Sequence, residues 1–322
     1  MFAVHREAAI PSPLNPLNLL NPLNPATQWL HGRYHNPRAK GPSNLRTFRA
    51  KAPLNFRTLS AEGAVKEAIP SPLNRLNLFI RNAAYFIKNY LISITNKEVS
   101  IMKYTFLGHA CFKIDTGKER LLFDPFLTGN GQAAVTADKV RCDYILLSHA
   151  HSDHFGDANE IALRTGARVV AIPEVIGLFS KSLSNFQPMN LGGTYHADFG
   201  DVKMVQAFHS CGAAGGTPCG FIISFKDGPV VYYSGDTALF GDMKLFGELY
   251  DIDYAILPIG DNYTMGPDDA ILAGKFLKAK HVIPLHYNTW PVISQNAESF
   301  KTKAKEEGLD VIVVRPGETI DL

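Results

Sequence analysis

The chain has no CxxC pair, no unbroken apolar run of membrane-spanning length, and almost no acid in its first third. Each shortage closes off a class of reading. Its four cysteines (Cys111, Cys142, Cys211 and Cys219) show no paired spacing, and no signal peptide is recognisable. Free thiols in a reducing cytoplasm are the simplest account of them. The apolar stretch from Leu76 to Ile94 is interrupted by Arg81 and Lys88, which argues against a membrane span and leaves a short amphipathic helix. No serine or cysteine nucleophile with a partnered base can be picked out, so covalent acyl-enzyme chemistry has no candidate.

Charge divides the 322 residues in two. Residues 1–101 hold 13 Lys/Arg against 4 Asp/Glu, and the remaining 19 basic residues face 26 acidic ones. The near-neutral whole is therefore an acidic body with a basic extension. An acidic body argues against a broad nucleic-acid surface, because such binding rests on neutralising phosphates. The extension is rich in Pro, Asn and Leu, and its phrase Pro11-Ser12-Pro13-Leu14-Asn15 returns as Pro70-Ser71-Pro72-Leu73-Asn74. Frequent proline denies a helix its donors and a sheet its ladder, so residues 1–101 are expected to be largely disordered and residues 102–322 to form the domain. Three readings of the extension stay open: a targeting segment, a partner-binding tail, or sequence preceding a true start at Met102.

What the chain does have is His149-Ala150-His151-Ser152-Asp153-His154, four potential metal ligands in six residues after the strand-like Tyr144–Ser148. Imidazole and carboxylate suit zinc, and also iron or manganese. Other chemistry-bearing residues likewise stand just past apolar runs: Asp124 after Leu121-Leu122-Phe123, His209 after Val202–Phe208, Asp236 after Pro229–Tyr233, and His286 after Val282–Leu285. Core packing does not ask for five strand ends that each deliver a carboxylate or an imidazole. A scaffold that presents functional loops does.

In that order and at similar gaps, these residues resemble the ordered motifs of the metallo-β-lactamase superfamily, from about Met102 to the C-terminus. Within it, Leu107-Gly108-His109-Ala110, the stretch from Pro258 to Pro267, and His286-Tyr287-Asn288-Thr289-Trp290-Pro291 resemble a small group of prokaryotic metal-dependent hydrolases. The resemblance implies an α+β fold, a four-layer αββα sandwich with metals at the rim between its sheets. Short β-rich runs between glycine turns, with helices expected at 157–164, 268–279 and 295–307, agree with it; Ser294 is the expected N-cap of the last.

The resemblance also implies the ligand set. His149, His151 and His209 would hold one divalent ion, Asp153, His154 and His286 a second, and Asp236 would bridge them; zinc is expected, with manganese or iron as alternatives. Such a pair activates a hydroxide that attacks a small ester, lactone or phosphodiester. Asp153 is expected to orient the nucleophile. Asp124 either accepts the second N–H of a ligand histidine or merely starts a turn with Pro125. Asn262 and Asn288 are candidate substrate contacts or simple turn residues. His109 is read as pocket-lining or structural and stays outside the metal set, and Cys211 is read as a loop thiol. The rival functions are a nuclease-type phosphodiesterase and a non-catalytic metal-binding protein. The expected partner is a small-molecule substrate, without nucleic acid and without a membrane span, and homo-oligomerisation is left open.

Overall fold

The computed structural model describes residues 79–85, 87 and 101–322. The chain divides into two units, Met1–Ser71 and Pro72–Leu322, and every described residue belongs to the second. The disorder expected over residues 1–101 thus falls almost entirely outside the described residues. Of that segment, residues 79–85 and 87 are helical, with Phe79, Ile80, Tyr85 and Ile87 exposed. Among the described residues no helix is long and apolar enough to cross a membrane.

Two seven-stranded sheets carry the body. The first contains β1 (Lys103–Gly108), β2 (Cys111–Asp115), β3 (Arg120–Phe123), β4 (Tyr144–Leu146), β5 (Arg168–Ala171) and β6 (Phe186–Pro188), and β14 (Thr319–Asp321) joins its edge beside β1. The second runs from β7 (Thr194–His196) through β8 (Gly200–Gln206), β9 (Cys219–Phe225), β10 (Val230–Tyr233), β11 (Tyr254–Pro258) and β12 (His281–Leu285) to β13 (Asp310–Val311). Each sheet changes from antiparallel to parallel part-way across, at β3 in the first and at β10 in the second. Parallel neighbours need crossovers, and helices supply many of them. They are α1 (Ser152–Phe155), α2 (Ala158–Thr165), α3 (Pro173–Ile176), α4 (Met243–Leu249) and α5 (Pro267–Phe276), with α6 (Ala297–Glu306) before β13.

The β-rich runs become strands because both faces of the central ones are covered. Ile145, Leu146, Val169, Val170, Ile256 and Ile283 are all buried, as continuous Val/Ile/Leu runs in parallel sheet should be. Between the sheets, Phe112 stacks on Phe123 with ring centroids 4.2 Å apart, and Tyr233 of β10 meets both rings edge-on at 5.0 and 5.7 Å. Outside the second sheet a further apolar cluster packs Met243, Phe246, Ile271 and Phe300 from α4, α5 and α6. Two expectations need correction. The run 103–114 is broken into a hairpin, since Gly108 and His109 take positive φ of 113° and 58°. The N-cap of α6 is Asn296, not Ser294, because the Asn296 side chain is the one that accepts a bond from the Ser299 N–H.

Candidate metal centre

The residues anticipated as ligands do converge, and strand ends bring them there. Asp124 follows β3, His149 lies three residues past β4, His209 three past β8, Asp236 three past β10, and His286 directly follows β12. His109, Asp124 and His286 have φ of 58°, 37° and 56°. Non-glycine residues held in this region are sparse and gather where surrounding structure dictates their position. Here the His286 N–H donates to the His109 carbonyl at 2.9 Å, locking two of the three together. Gly260 lets the chain after β11 pass close to His286, since a Cβ there would stand 2.2 Å from the His286 carbonyl oxygen.

Two neighbouring groups emerge. In one, His149, His151 and His209 bring ring nitrogens within 4.8 Å of one another; in the other, His109, Asp153, His154 and His286 do the same with nitrogens and a carboxylate oxygen. Asp236 lies between them. Its Oδ2 is 3.1 Å from His286 Nε2, 3.2 Å from His154 Nε2 and 3.7 Å from His209 Nε2. This is where a bridging carboxylate would have to stand.

Asp124 explains why the rings point as they do. Fully buried, it accepts from the Ser148 N–H at 2.8 Å, the Ser148 hydroxyl at 2.5 Å, the Tyr233 hydroxyl at 2.6 Å and His154 Nδ1 at 2.7 Å. Because the Ser148 hydroxyl gives its proton to Asp124, its oxygen is left to accept from His149 Nδ1 at 2.9 Å. One carboxylate therefore fixes a ring in each group, leaving the Nε2 lone pairs of His149 and His154 facing inward. Of the two sequence readings of Asp124, the hydrogen bond to a histidine is the one observed.

Polar atoms buried without partners are costly, and several are gathered here. His154 Nε2, His286 Nδ1 and Nε2, and Asp236 Oδ1 are buried and have no hydrogen-bond partner. Burial pushes the His149 imidazole well below its ordinary value, helped by the nearby His154, so the ring stands neutral. Burial would raise the Asp236 carboxyl, but His154 and His286 hold it well below the usual carboxylate range. Burial would likewise lower His286, yet the Asp236 charge brings it up to about 9. Imidazole nitrogens and an ionised carboxylate are the donor types that borderline divalent ions such as zinc take, and such an ion would displace the proton that the Asp236 charge favours on His286. The residues fit such ions.

Comparison with known proteins agrees. A profile described as a Beta-lactamase superfamily domain matches residues 103–286. Proteins called UPF0173 metal-dependent hydrolase in Natranaerobius thermophilus and Bacillus thuringiensis are 43% and 46% identical over 222 and 230 residues, covering 69% of this chain and 100% of each relative. The chain belongs to this family. A solved neighbour in fold is Igni18, a metallo hydrolase from Ignicoccus hospitalis KIN4/I. It is 37% identical with a TM-score of 0.64, over 69% of this chain and 98% of that one. As a member of the UPF0173 metal-dependent hydrolases within the β-lactamase superfamily, the protein is a metal-dependent hydrolase.

The cluster opens into a cavity of about 470 Å³. His151, Asp153, His209, Asp236 and His286 line it together with Phe126, Tyr263, Trp290 and Val292. Two expected substrate contacts are not brought there. Asn262 is exposed, and its neighbour Tyr263 lines the cavity instead. Asn288, at φ 61°, accepts the Gln295 N–H at 2.7 Å and so behaves as a turn residue. The sequence reading also missed Ser148, Tyr233 and Phe126, whose roles depend on contacts 24 or more residues apart in the chain or on lining a distant cavity. Trp290 lay within a quoted motif and could have been singled out. Cys211 is buried and joins neither ligand group.

Proposed function

We propose that residues 102–322 act as a two-ion hydrolase on neutral carbonyl substrates, small esters or lactones. The observation that carries this choice is the wall of the cavity. Its lining includes Phe126, Tyr263, Trp290 and Val292 and no Lys or Arg among the described residues. A phosphodiester or a nucleic acid brings its own negative charge and is ordinarily met by cationic side chains. An apolar acyl group is met by aromatic walls. The acidic balance of residues 102–322 points the same way.

His149, His151 and His209 would hold one ion and Asp153, His154 and His286 the other, with Asp236 shared. When bound, such a pair supplies a nucleophile from water at neutral pH and stabilises developing negative charge. The protein's own part is to hold these groups in register through Asp124, to orient the incoming group with Asp153, and to exclude bulk water with Trp290 and Phe126. Zinc is the ion we expect, with manganese or iron as the alternatives. Four buried, unpaired cysteines suit a reducing, cytoplasmic setting.

The test is a comparison of kcat/KM on p-nitrophenyl esters and γ-lactones against bis(p-nitrophenyl) phosphate. The expected outcome is a preference of at least about a hundredfold for the carbonyl substrates, abolished by a chelator and restored by zinc or manganese. A preference for the phosphodiester would move the protein to the phosphodiesterase reading. A metal-loaded protein inert to every substrate would favour the binding-protein reading.

A further inference from the structure

We infer that His109 is an additional nitrogen ligand, through Nε2, of the ion that Asp153, His154 and His286 would hold. The assignment rests on the two-ion reading above and concerns which side chains complete it. It starts from the tautomer, which the surrounding bonds determine.

Gln132 is oriented by two backbone groups. Its Nε2 donates to the Tyr287 carbonyl at 3.1 Å, and its Oε1 accepts from the His109 N–H at 3.3 Å. An amide oxygen can only accept. The Thr289 hydroxyl, 3.3 Å from that oxygen, must therefore donate to it. Its own oxygen is then left to accept from His109 Nδ1, 2.7 Å away. The proton of a neutral His109 is thus on Nδ1, and Nε2 carries a lone pair. Yet Nε2 faces Asp153 Oδ2 at 3.1 Å, one acceptor against another.

A proton between these two atoms would satisfy only that pair. The same carboxylate oxygen stands 3.9 Å from His154 Nε2 and 3.7 Å from His286 Nε2. In the neutral ring His154 Nε2 is likewise the free nitrogen, because its Nδ1 is committed to Asp124. The four donor atoms lie within 4.8 Å of one another. One divalent cation meets all four needs at once, as a proton cannot. The relay from Gln132 through Thr289 to His109 also repeats the device that Asp124 and Ser148 provide for His149: a second partner fixes the ring so that the inward nitrogen is free to bind.

Cobalt(II) reports the ligands directly. In wild-type protein loaded with cobalt, each ligating histidine whose other nitrogen is protonated gives a strongly shifted, solvent-exchangeable N–H resonance. His109→Asn is the informative variant. Asparagine tolerates the positive φ at this position, and its side-chain N–H₂ replaces Nδ1 toward Thr289 while nothing replaces Nε2. The expected result is loss of one shifted resonance and at least a tenfold weaker second cobalt site, with the first site retained. Affinity alone does not decide, since losing a residue that merely orients Asp153 also weakens binding; the resonance does. If His109→Asn does not fold, Thr289→Val reads the same atom. Without its acceptor the Nδ1–H exchanges quickly, and that resonance should broaden away while both cobalt ions stay.

A wild type with two cobalt ions whose shifted N–H signals are unchanged in His109→Asn, or in Thr289→Val, overturns the assignment and leaves the proposed function standing. A wild type that never takes up a second cobalt defeats the two-ion reading, and this assignment with it.

Discussion

His154 and His286 have side chains 0% and 1% exposed, whereas His209, on the other side of Asp236, keeps 16%. The deep group is also the better supported. His154 is held by Asp124, and His109 by Thr289 and Gln132, while His151 leans on Ser210, an exposed residue of the loop after β8. Two groups with similar donors are thus built to different standards of rigidity and access. Both sides reach the cavity, the deep one through Asp153 and His286 and the outer one through His151 and His209, but three of the four deep residues are buried against one of the three outer ones. The difference teaches that one carboxylate, Asp124, is shared by both sides and so is the part whose loss should be felt furthest.

Asp124→Ala is accordingly the change with the largest expected effect. It would strand four donors in a fully buried site, and a single buried donor without a partner costs about 1–3 kcal/mol. Allowing for relaxation and entering water, about 3–5 kcal/mol of stability should be lost, together with most bound metal. Thermal unfolding and elemental analysis of the purified variant check both. A variant that melts within a degree or two of wild type and keeps two ions would show that Asp124 is an ordinary turn residue beside Pro125.

The contrast between the sides makes the second prediction. With limiting chelator, metal should leave in two phases, the faster from the side of His209. His209→Ala should remove the fast phase at a stability cost under about 1 kcal/mol, as for a partly exposed substitution. His154→Ala should cost about 2–4 kcal/mol, because it empties a fully buried position and unpairs Asp124. Stopped-flow release followed with a zinc-binding dye gives the phases. Equal release rates from both sides would erase the distinction drawn from burial.

Much of this centre was legible in the sequence because its chemistry-bearing residues punctuate strand ends. Asp124, His149, His209, Asp236 and His286 each follow an apolar run, and period and position alone single them out. The two-sheet fold was legible for the same reason, since its central strands are continuous apolar segments. What escaped was whatever depends on crossing the interior. β6, β7 and β14 are three residues each with none of them buried, so their runs carry little hydrophobic signal. Tyr233 looks like one more strand aromatic until its hydroxyl is seen to reach Asp124, 109 residues away. His109 falls at a hairpin that the sequence reading ran through as one strand, because the turn depends on a positive φ at a histidine, which composition does not announce. Asn262 is a different case: it is exposed, and the neighbouring Tyr263 is the one that lines the cavity.

The smallest expected effect belongs to Cys211→Ala. A thiol two residues after His209 invites assignment as a ligand, and thiolates bind zinc well. The structure gives its neighbourhood another purpose. The Cys211 carbonyl accepts the Ala150 N–H at 2.7 Å, tying the loop after β8 to the His149–His154 segment through the main chain. Beside it, Gly212 lets that loop pass His151, since a Cβ there would sit 2.8 Å from the His151 ring. Neither contact uses the sulfur. Replacing the thiol by a methyl group should therefore keep both ions and the hydrolysis rate, and lower stability by no more than about 1 kcal/mol for the small cavity left behind. Metal content and the melting temperature measured side by side make the check. Loss of an ion from Cys211→Ala would mean that the outer side takes a sulfur ligand, and the contrast between a more buried group and a less buried, all-imidazole group would have to be redrawn.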